Sequence, residues 1–231
     1  MQSIFPFEPD LPEGVVLKDL LETLRKLSWD AADILMAYAR GKQPPFGFQR
    51  VLEVNESSDG PVSAADLAVN TWLLDGFKSV FPSARWELIS EETVKENPTL
   101  DKNLDSEWLW ILDPLDGTKD FLSGSGEYAV HLSLIKGQDP LLGVVLIPEL
   151  EELWFGVIGF GTWYENRLRN EKLPSFSKRN KLDEMILVAS RSHRDKRLEE
   201  LIQNLEVGSQ KSIGSIGCKV CSILRGESDI Y

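Results

Sequence analysis

The sequence contains too few cysteines to build a disulfide framework. Only Cys218 and Cys221 occur among its 231 residues. Two cysteines cannot cross-link a chain of this length into a disulfide scaffold, so we expect a protein of a reducing, intracellular compartment. The chain is 42% hydrophobic and 27% charged, which is typical of a globular protein with one large domain or two small ones.

Long apolar runs and an excess of positive charge are also absent. No apolar run approaches the roughly 18 residues of a membrane span, and Met1 to Pro6 show neither the basic nor the apolar region of a signal peptide. We therefore expect a cytoplasmic protein with no membrane partner. The 25 Lys and Arg residues against 37 Asp and Glu residues give a net charge of −12. This charge argues against a nucleic acid polymer as partner, but a small phosphorylated substrate is compatible if metal cations intervene.

Hydrophobic periodicity predicts helices separated by many short strands. Apolar residues recur every three and four positions from Val15 to Ala39, and a second helix from Ser63 to Val80 has Ser63 as its N-cap. Asn55 to Pro61 is interpreted as a polar turn. The predicted strands are 51–54, 87–90, 108–112, 128–135, 141–147, 152–158, 162–165 and 185–190, and a later helix spans 196–205. The fold class is α+β or mixed α/β with much antiparallel sheet.

The segment after the apolar strand Trp108 to Leu112 has the strongest chemical signal. It reads Asp113-Pro114-Leu115-Asp116-Gly117-Thr118-Lys119-Asp120. We expect a tight turn here rather than an alternating strand, because a turn points both carboxylates of Asp113 and Asp116 at one spot. A helix starting at Thr118 would add N–H groups that attract an oxyanion. Such carboxylates suit Mg²⁺, and two ions can clamp a phosphoryl displacement.

Two other interpretations of this segment fit less well. An Asp-Gly pair is by itself an ordinary turn signal, but here it follows a buried strand, and Glu91-Glu92 ends another predicted strand upstream. Haloacid-dehalogenase-like phosphatases also have an Asp…Asp-Gly-Thr motif, with the two aspartates two residues apart. Asp113 and Asp116 are three residues apart, and the motif does not follow a strand at the N-terminus of the chain.

Three segments resemble motifs of the inositol monophosphatase superfamily, the lithium-sensitive, Mg²⁺-dependent phosphatases. They are Ser63-Ala64-Ala65-Asp66, Ile89-Ser90-Glu91-Glu92 and Asp113 to Thr118. The resemblance covers most of the chain and implies a layered αβαβα sandwich, in which a largely antiparallel sheet is flanked by helix pairs. With the polar stretch 167–182 as a linker, we expect an N-terminal arm over 1–14, a metal-binding α+β domain over 15–170 and a partial C-terminal α/β domain over 183–231.

The resemblance also implies the metal ligands. Asp113 would bridge two Mg²⁺ ions, while Glu91 and the carbonyl of Leu115 complete the first metal site. Asp116 would hold the second ion, and a third, weaker ion would depend on Glu91.

The catalytic and phosphate-binding residues follow from the same resemblance. Asp66 and Thr118 would form a dyad that deprotonates the attacking water, whose pKa the metal charge lowers. The N–H groups of Gly117 and Thr118 would hold the phosphate. Glu92 would position water or local structure, and His131, within a predicted strand, would be structural.

Two further segments resemble the 3′(2′),5′-bisphosphate nucleotidase branch of the superfamily. They are Asp116 to Phe121, and Ala189 to His193 followed by Ser212 to Lys219. In that branch the later segments line a nucleotide pocket, so Ser190, Ser192, His193 and Lys219 would bind substrate. An ordinary strand-end turn and an exposed helical lysine are the alternatives. The implied reaction converts 3′-phosphoadenosine 5′-phosphate to AMP and phosphate.

The family's C-terminal Trp-Asp motif does not occur before the last residue, Tyr231. Its Asp supplies a ligand to the second metal, so we expect an incomplete second domain and weak or no activity for these residues alone. Trp29-Asp30 looks similar, but a metal role for Asp30 would need a permuted chain. The alternative functions are an inositol or sugar-phosphate monophosphatase, acting on inositol 1-phosphate or fructose 1,6-bisphosphate, and an inactive metal- or nucleotide-binding fragment. The oligomeric state is left open.

The two cysteines have the spacing of a redox dithiol. The same spacing places two small residues on one face of a helix, and no second pair exists to hold zinc. We therefore favour core packing for Cys218 and Cys221.

Overall fold

The computed structural model describes residues 9–57, 60–97, 105–191 and 196–231. The helices are α1 (Leu17–Ala39), α2 (Ala64–Val80), α3 (Glu91–Glu96), α4 (Thr118–Ser123), α5 (Lys196–Asn204) and α6 (Ile216–Leu224). The strands are β1 (Val54–Ser57), β2 (Gly60–Ser63), β3 (Glu87–Ser90), β4 (Trp108–Asp116), β5 (Ala129–Lys136), β6 (Asp139–Ile147), β7 (Glu152–Val157), β8 (Gly161–Glu165), β9 (Glu171–Lys172), β10 (Ile186–Ser190) and β11 (Ser209–Ile213). No helix in this part of the chain is both long and apolar enough to cross a membrane.

A seven-stranded sheet forms the centre of the structure, in the order β3-β4-β5-β6-β7-β8-β9. β3 and β4 are parallel, and every later neighbouring pair is antiparallel. Each antiparallel neighbour follows the previous strand directly in sequence, so short connections suffice to build most of the sheet. The predicted antiparallel content is confirmed.

The two faces of the sheet are covered by different helices. Successive side chains of a strand point to opposite faces, and on β5 Val130 and Leu132 join the large core that contains α1 and α2. Ala129, of opposite parity, packs instead with Cys218 and Cys221 of α6. The sheet therefore lies between the α1–α2 pair and α6.

A second, two-stranded sheet pairs β10 with β11 in parallel. Leu187 and Ala189 of β10 pack on Ile202 of α5, and α6 contacts both the small sheet and strands β5 and β6 of the large one. The order of layers is thus helix pair, large sheet, α6, with the small sheet and α5 beyond it. This arrangement agrees with the predicted layered sandwich.

The structure differs from the sequence-based expectations at two connections. The predicted strand 51–54 and polar turn 55–61 are wrong: Val54–Ser57 and Gly60–Ser63 form an antiparallel hairpin. Glu91 does not end a strand but begins the short helix α3, whose N-cap is Ser90. The Thr93 hydroxyl oxygen accepts a hydrogen bond from the Ser90 N–H at 3.0 Å. Ser-x-x-Thr imitates the usual capping box, which is why the helix can start here.

Candidate active site

The carboxyl ends of three strands meet at one cavity of about 690 Å³. Because β3 and β4 are parallel neighbours, the residues that follow them lie at the same edge of the sheet. The end of β10 supplies another wall. The lining includes Glu91, Asp113, Asp116, Thr118, Ser190 and Gly214. The structure thus brings together most of the residues predicted for the site.

A β-bulge, rather than the predicted tight turn, aims the two aspartates. Asp113 lies opposite His131 and Asp116 opposite Ala129, so three steps along β4 match two along β5. The extra residue bends the strand without ending its pairing, and bulges commonly redirect side chains beside active sites. The expectation of a turn was wrong because Leu112 and the residues after it continue to pair with β5.

Gly117 connects the bulge to α4 and has no workable replacement. Its φ of +91° lies in the left-handed region, and a Cβ built on it would lie 2.9 Å from the carbonyl oxygen of Glu127. Both the backbone conformation and the available space therefore require glycine. Helix α4 then begins at Thr118, as predicted.

Asp113 lies in an electrostatically unfavourable position. Burial, followed by the nearby negative charges of Glu91 and Asp116, raises the pKa of Asp113 to about 8. A hydrogen bond from the Leu115 N–H to Asp113 Oδ1, at 3.1 Å, opposes this shift only partly. Three carboxylates placed this closely favour a cation between them.

Asp116 is held in place by α6 and its preceding loop. Its Oδ2 accepts hydrogen bonds from the Ser215 hydroxyl at 2.5 Å and from the Gly217 N–H at 3.1 Å. The Nε2 of His131 lies 3.3 Å from the same oxygen, while burial lowers the pKa of His131 despite the charge of Asp116. Sequence reasoning missed His131 as a neighbour of the site, because only the pairing of β5 with β4 places it there.

Asp66 and Thr118 form the predicted pair. The Thr118 hydroxyl lies 3.0 Å from Asp66 Oδ1 and 3.2 Å from the carbonyl oxygen of Leu115. Asp66 Oδ2 accepts bonds from the Ser63 N–H at 2.8 Å and the Ser63 hydroxyl at 2.5 Å. Burial raises the pKa of Asp66, and the bonds from Ser63 and Thr118 oppose that rise. This carboxylate is therefore fixed in orientation and more basic than an exposed aspartate.

Glu91 and Glu92 both contact Lys95 at the start of α3. The Lys95 Nζ lies 2.9 Å from Glu91 Oε1 and 3.0 Å from Glu92 Oε1. Glu92 is buried, and this burial raises its pKa against the effect of Lys95. Lys95 was not among the predicted site residues, although its position three and four residues after the glutamates is the spacing at which helical side chains meet.

The donor set suits Mg²⁺ without forming a closed cage. Within the described ranges, no three Asp, Glu, His or Cys side chains converge tightly enough to enclose a metal ion. Magnesium keeps several water ligands and needs only one or two carboxylates together with substrate phosphate. The observation that fits a divalent cation is that the charges of Glu91 and Asp116 both disfavour ionisation of the buried Asp113.

The structure describes two of the four predicted substrate residues, and they lie in different environments. Ser190 lines the cavity at the end of β10, whereas Ser192 and His193 lie outside the described residues. Lys219 is fully buried, so the alternative of an exposed helical lysine is wrong. Its ammonium donates to Ser190 Oγ at 3.1 Å and to the carbonyl oxygen of Gly214 at 3.2 Å. Lys219 thus supports two residues of the cavity wall from beneath.

Arg191, directly after β10, contacts α4 and the segment before β5. Its guanidinium contacts the carboxylates of Asp120 and Glu127, and Glu127 Oε2 also accepts the Gly214 N–H at 3.0 Å. A Cβ at Gly214 would overlap Asp120 Oδ2 at 1.8 Å, so only glycine allows this approach. We call Arg191, Asp120, Glu127 and Gly214 the Arg191 clamp. Gly214 directly precedes Ser215, whose hydroxyl donates to Asp116.

Two minor features have ordinary structural explanations. Asp30 pairs with Lys26 at 2.7 Å on the surface of α1, as an i,i+4 ion pair. Cys218 and Cys221 are buried on α6. Burial raises the pKa of Cys218 to about 11 and raises that of Cys221 as well. A buried thiol with a raised pKa is a poor nucleophile, which supports core packing.

The sequence model of the Inositol monophosphatase family matches residues 16–231. The chain belongs to this family. The 3′(2′),5′-bisphosphate nucleotidase CysQ of Salmonella typhimurium is 32% identical over 212 residues, which cover 92% of this chain and 79% of that protein. Two solved structures share the fold. The extragenic suppressor protein suhB from Bartonella henselae has a TM-score of 0.73 and 21% identity, covering 91% of this chain and 76% of its own. An IMPase from Thermotoga maritima has a TM-score of 0.71 and 22% identity, covering 91% and 74%.

Membership of the inositol monophosphatase family confirms the resemblance drawn from three short segments. It also confirms the predicted fold class, since both solved structures superimpose on more than nine-tenths of the chain. The matched region contains the Asp113–Asp116 bulge, the Asp66–Thr118 pair and the Arg191 clamp. These elements are therefore the ones to consider for a phosphatase reaction.

Proposed function

We propose that the chain is a Mg²⁺-dependent phosphatase that hydrolyses 3′-phosphoadenosine 5′-phosphate to AMP and phosphate. The observation that carries the reaction type is the cavity wall on which Asp113 and Asp116 lie beside the Asp66–Thr118 pair. The observation that favours the substrate is the 32% identity with a relative named as a 3′(2′),5′-bisphosphate nucleotidase, over 92% of this chain.

Glu91, Asp113, Asp116 and the carbonyl of Leu115 are the groups proposed to hold two or three Mg²⁺ ions. When bound, Mg²⁺ supplies positive charge that stabilises the phosphoryl oxygens and acidifies a nearby water. The bonds from Ser215 and Gly217 fix Asp116 in one orientation, so less conformational freedom remains to be lost on cation binding.

Asp66 and Thr118 are proposed to take the proton from the attacking water. The hydroxyl of Thr118 accepts that proton as it passes its own to Asp66 Oδ1, 3.0 Å away. Ser63 holds the other carboxylate oxygen, so the carboxylate cannot turn away from Thr118. A buried aspartate with a raised pKa is well suited to this role, because a stronger base removes a proton more readily.

The substrate's phosphate is proposed to bind beside the N–H groups of Gly117 and Thr118, at the start of α4. The remainder of the nucleotide would lie toward β10, where Ser190 lines the cavity. Ser192 is proposed to bind the substrate and His193 to contact the base, as the sequence resemblance implies. Lys219 would act through Ser190 and Gly214, since its own ammonium is buried.

Phosphate release from three substrates tests the proposal. The purified chain is incubated with 3′-phosphoadenosine 5′-phosphate, inositol 1-phosphate or fructose 1,6-bisphosphate, with and without Mg²⁺ and Li⁺. We expect Mg²⁺-dependent release that is fastest with the nucleotide and inhibited by Li⁺. Faster release from inositol 1-phosphate or fructose 1,6-bisphosphate would assign a monophosphatase instead. Nucleotide binding without turnover of any substrate would assign an inactive binding protein.

A further inference from the structure

We infer that Lys95 is an internal counter-cation for Glu91 and that divalent cations must displace it to bind that carboxylate. The inference rests on the proposed function only in taking Glu91 as a metal ligand. Lys95 would thereby set the affinity of the site for metal without being a ligand itself.

The geometry places the ammonium directly on the carboxylate in question. The Nζ of Lys95 lies 2.9 Å from Glu91 Oε1, and both residues line the cavity together with Asp113. Glu91 also contributes to the unfavourable charge on Asp113. A cation shared between Glu91 and Asp113 therefore meets a carboxylate that already has a positive partner.

One partner of this ion pair is largely buried and the other is partly exposed. The side chain of Lys95 is only 17% exposed, whereas that of Glu91 is 44% exposed. The second partner of Lys95, Glu92, is 4% exposed. Water therefore screens the Lys95–Glu91 contact only partly, because the lysine is held in place beside a buried carboxylate. Lys95 contacts both glutamates, so its positive charge is shared between two carboxylates.

Displacement is also mechanically simple. Lys95 holds two acceptors, so loss of the Glu91 contact leaves the bond to Glu92 Oε1 at 3.0 Å in place. The lysine can release Glu91 while it continues to neutralise the buried Glu92. The exchange therefore requires no unpaired buried charge at any stage.

Metal titration of the full chain, followed by calorimetry or by tryptophan fluorescence, tests the inference without an activity assay. We expect Lys95→Gln to bind Mg²⁺ and Mn²⁺ about 2- to 5-fold more tightly, because a partly exposed ion pair is worth a factor of up to about 5. The glutamine amide can still donate to Glu92. Lys95→Arg keeps the charge and should bind metal within about 2-fold of the wild type.

Lys119→Gln is the matched control, since it removes an exposed positive charge from the same cavity wall. Any long-range effect of charge on metal affinity appears in both glutamine variants, so the inference predicts a clearly larger gain for Lys95→Gln. Equal gains would overturn it, as would a lower melting temperature of Lys95→Gln with unchanged metal affinity, the sign of a purely structural ion pair.

Failure of the proposed function gives a different result. If neither the wild type nor Lys95→Gln binds divalent cations, both the metal site and the inference are wrong. If only Lys95→Gln binds them, the inference holds, and Lys95 in the wild type occupies Glu91 too strongly for these cations to displace it. Should Lys95→Gln not fold, the double variant Lys95→Gln/Glu92→Gln removes the buried charge as well, and its metal affinity decides the question in the same way.

Discussion

The hydroxyl of Thr118 lies 3.0 Å from Asp66 Oδ1 and so joins the first turns of α4 and α2, 52 residues apart in sequence. Each helix is positioned independently: α2 by its Ser63 cap and α4 by the left-handed Gly117. The contact therefore forms only if both helix starts are correct. Two helix starts that are each determined locally thus create the contact that we propose for proton transfer.

Replacing Asp66 should reduce turnover without removing metal. Asp66→Asn keeps the size of the side chain but removes the base, so we predict a fall in kcat of about 10²- to 10⁴-fold. The dissociation constant for Mg²⁺, measured by titration, should stay near that of the wild type. Asp75→Asn makes the same change at an exposed position of the same helix and should leave kcat unchanged. Activity of Asp66→Asn equal to that of Asp75→Asn would contradict the role of the dyad.

Two substitutions of Thr118 separate its hydroxyl from its shape. Thr118→Ser keeps the donor to Asp66, and we predict kcat within about 10-fold of the wild type. Thr118→Val keeps the branched shape but leaves Asp66 Oδ1 without this partner, so we expect kcat to fall about 10²-fold or more. Steady-state kinetics with both variants checks this. If the two variants have equal kcat, the hydroxyl has no part in proton transfer.

Stability in a chelator should depend on pH through Asp113. The pKa of Asp113 is about 8 in the folded chain, compared with an ordinary value of 3.8. Between these two pH values the folded state therefore keeps a proton on Asp113 that the unfolded state has released. This stabilising contribution is present at low pH and is lost as the pH rises toward 8. In EDTA, the melting temperature of Asp113→Asn should exceed that of the wild type near pH 8, and the difference should vanish near pH 4.

The Asp113→Asn variant should also fail to turn over substrate in Mg²⁺, because it lacks the carboxylate that we propose to bridge two Mg²⁺ ions. Melting curves of Asp75→Asn supply the reference, with no comparable dependence on pH. A difference in melting temperature that is constant from pH 4 to pH 8 would show that the environment of Asp113 is not the cause.

The Arg191 clamp should affect substrate affinity more than metal affinity. Arg191→Ala removes the cationic partner of Asp120 and Glu127, and it should loosen the segment at Gly214, whose N–H Glu127 accepts. We predict a rise in KM of about 10-fold for the nucleotide with little change in the dissociation constant for Mg²⁺. In a double-mutant cycle, Arg191→Ala and Asp120→Asn should be clearly non-additive. Additive effects would show that Arg191 and Asp120 act separately.

Local signals were sufficient for part of this account. The cap at Ser63, the helix start at Thr118 and the apolar strand beginning at Trp108 each depend on a few adjacent residues. The family resemblance then assigned roles to several residues that line a single cavity, among them Glu91, Asp113 and Thr118. These elements could be predicted because neighbouring residues alone decide their conformation.

Other features depend on contacts between distant segments and could not be predicted. The bulge between Asp113 and Asp116 is defined by its pairing with β5. Arg191 meets Asp120 across 71 positions. Strand β11, Ser209–Ile213, is mostly exposed and polar, so it has no apolar pattern, and its parallel pairing with β10 is what makes it a strand.

Single-turnover phosphate release from 3′-phosphoadenosine 5′-phosphate tests the central claim most directly. With enzyme in excess, even slow chemistry can be followed, and the same experiment is repeated with inositol 1-phosphate and in EDTA. We predict Mg²⁺-dependent release from the nucleotide at a rate at least about 10-fold above that from inositol 1-phosphate. Release that persists in EDTA, or equal rates for the two substrates, would contradict the account.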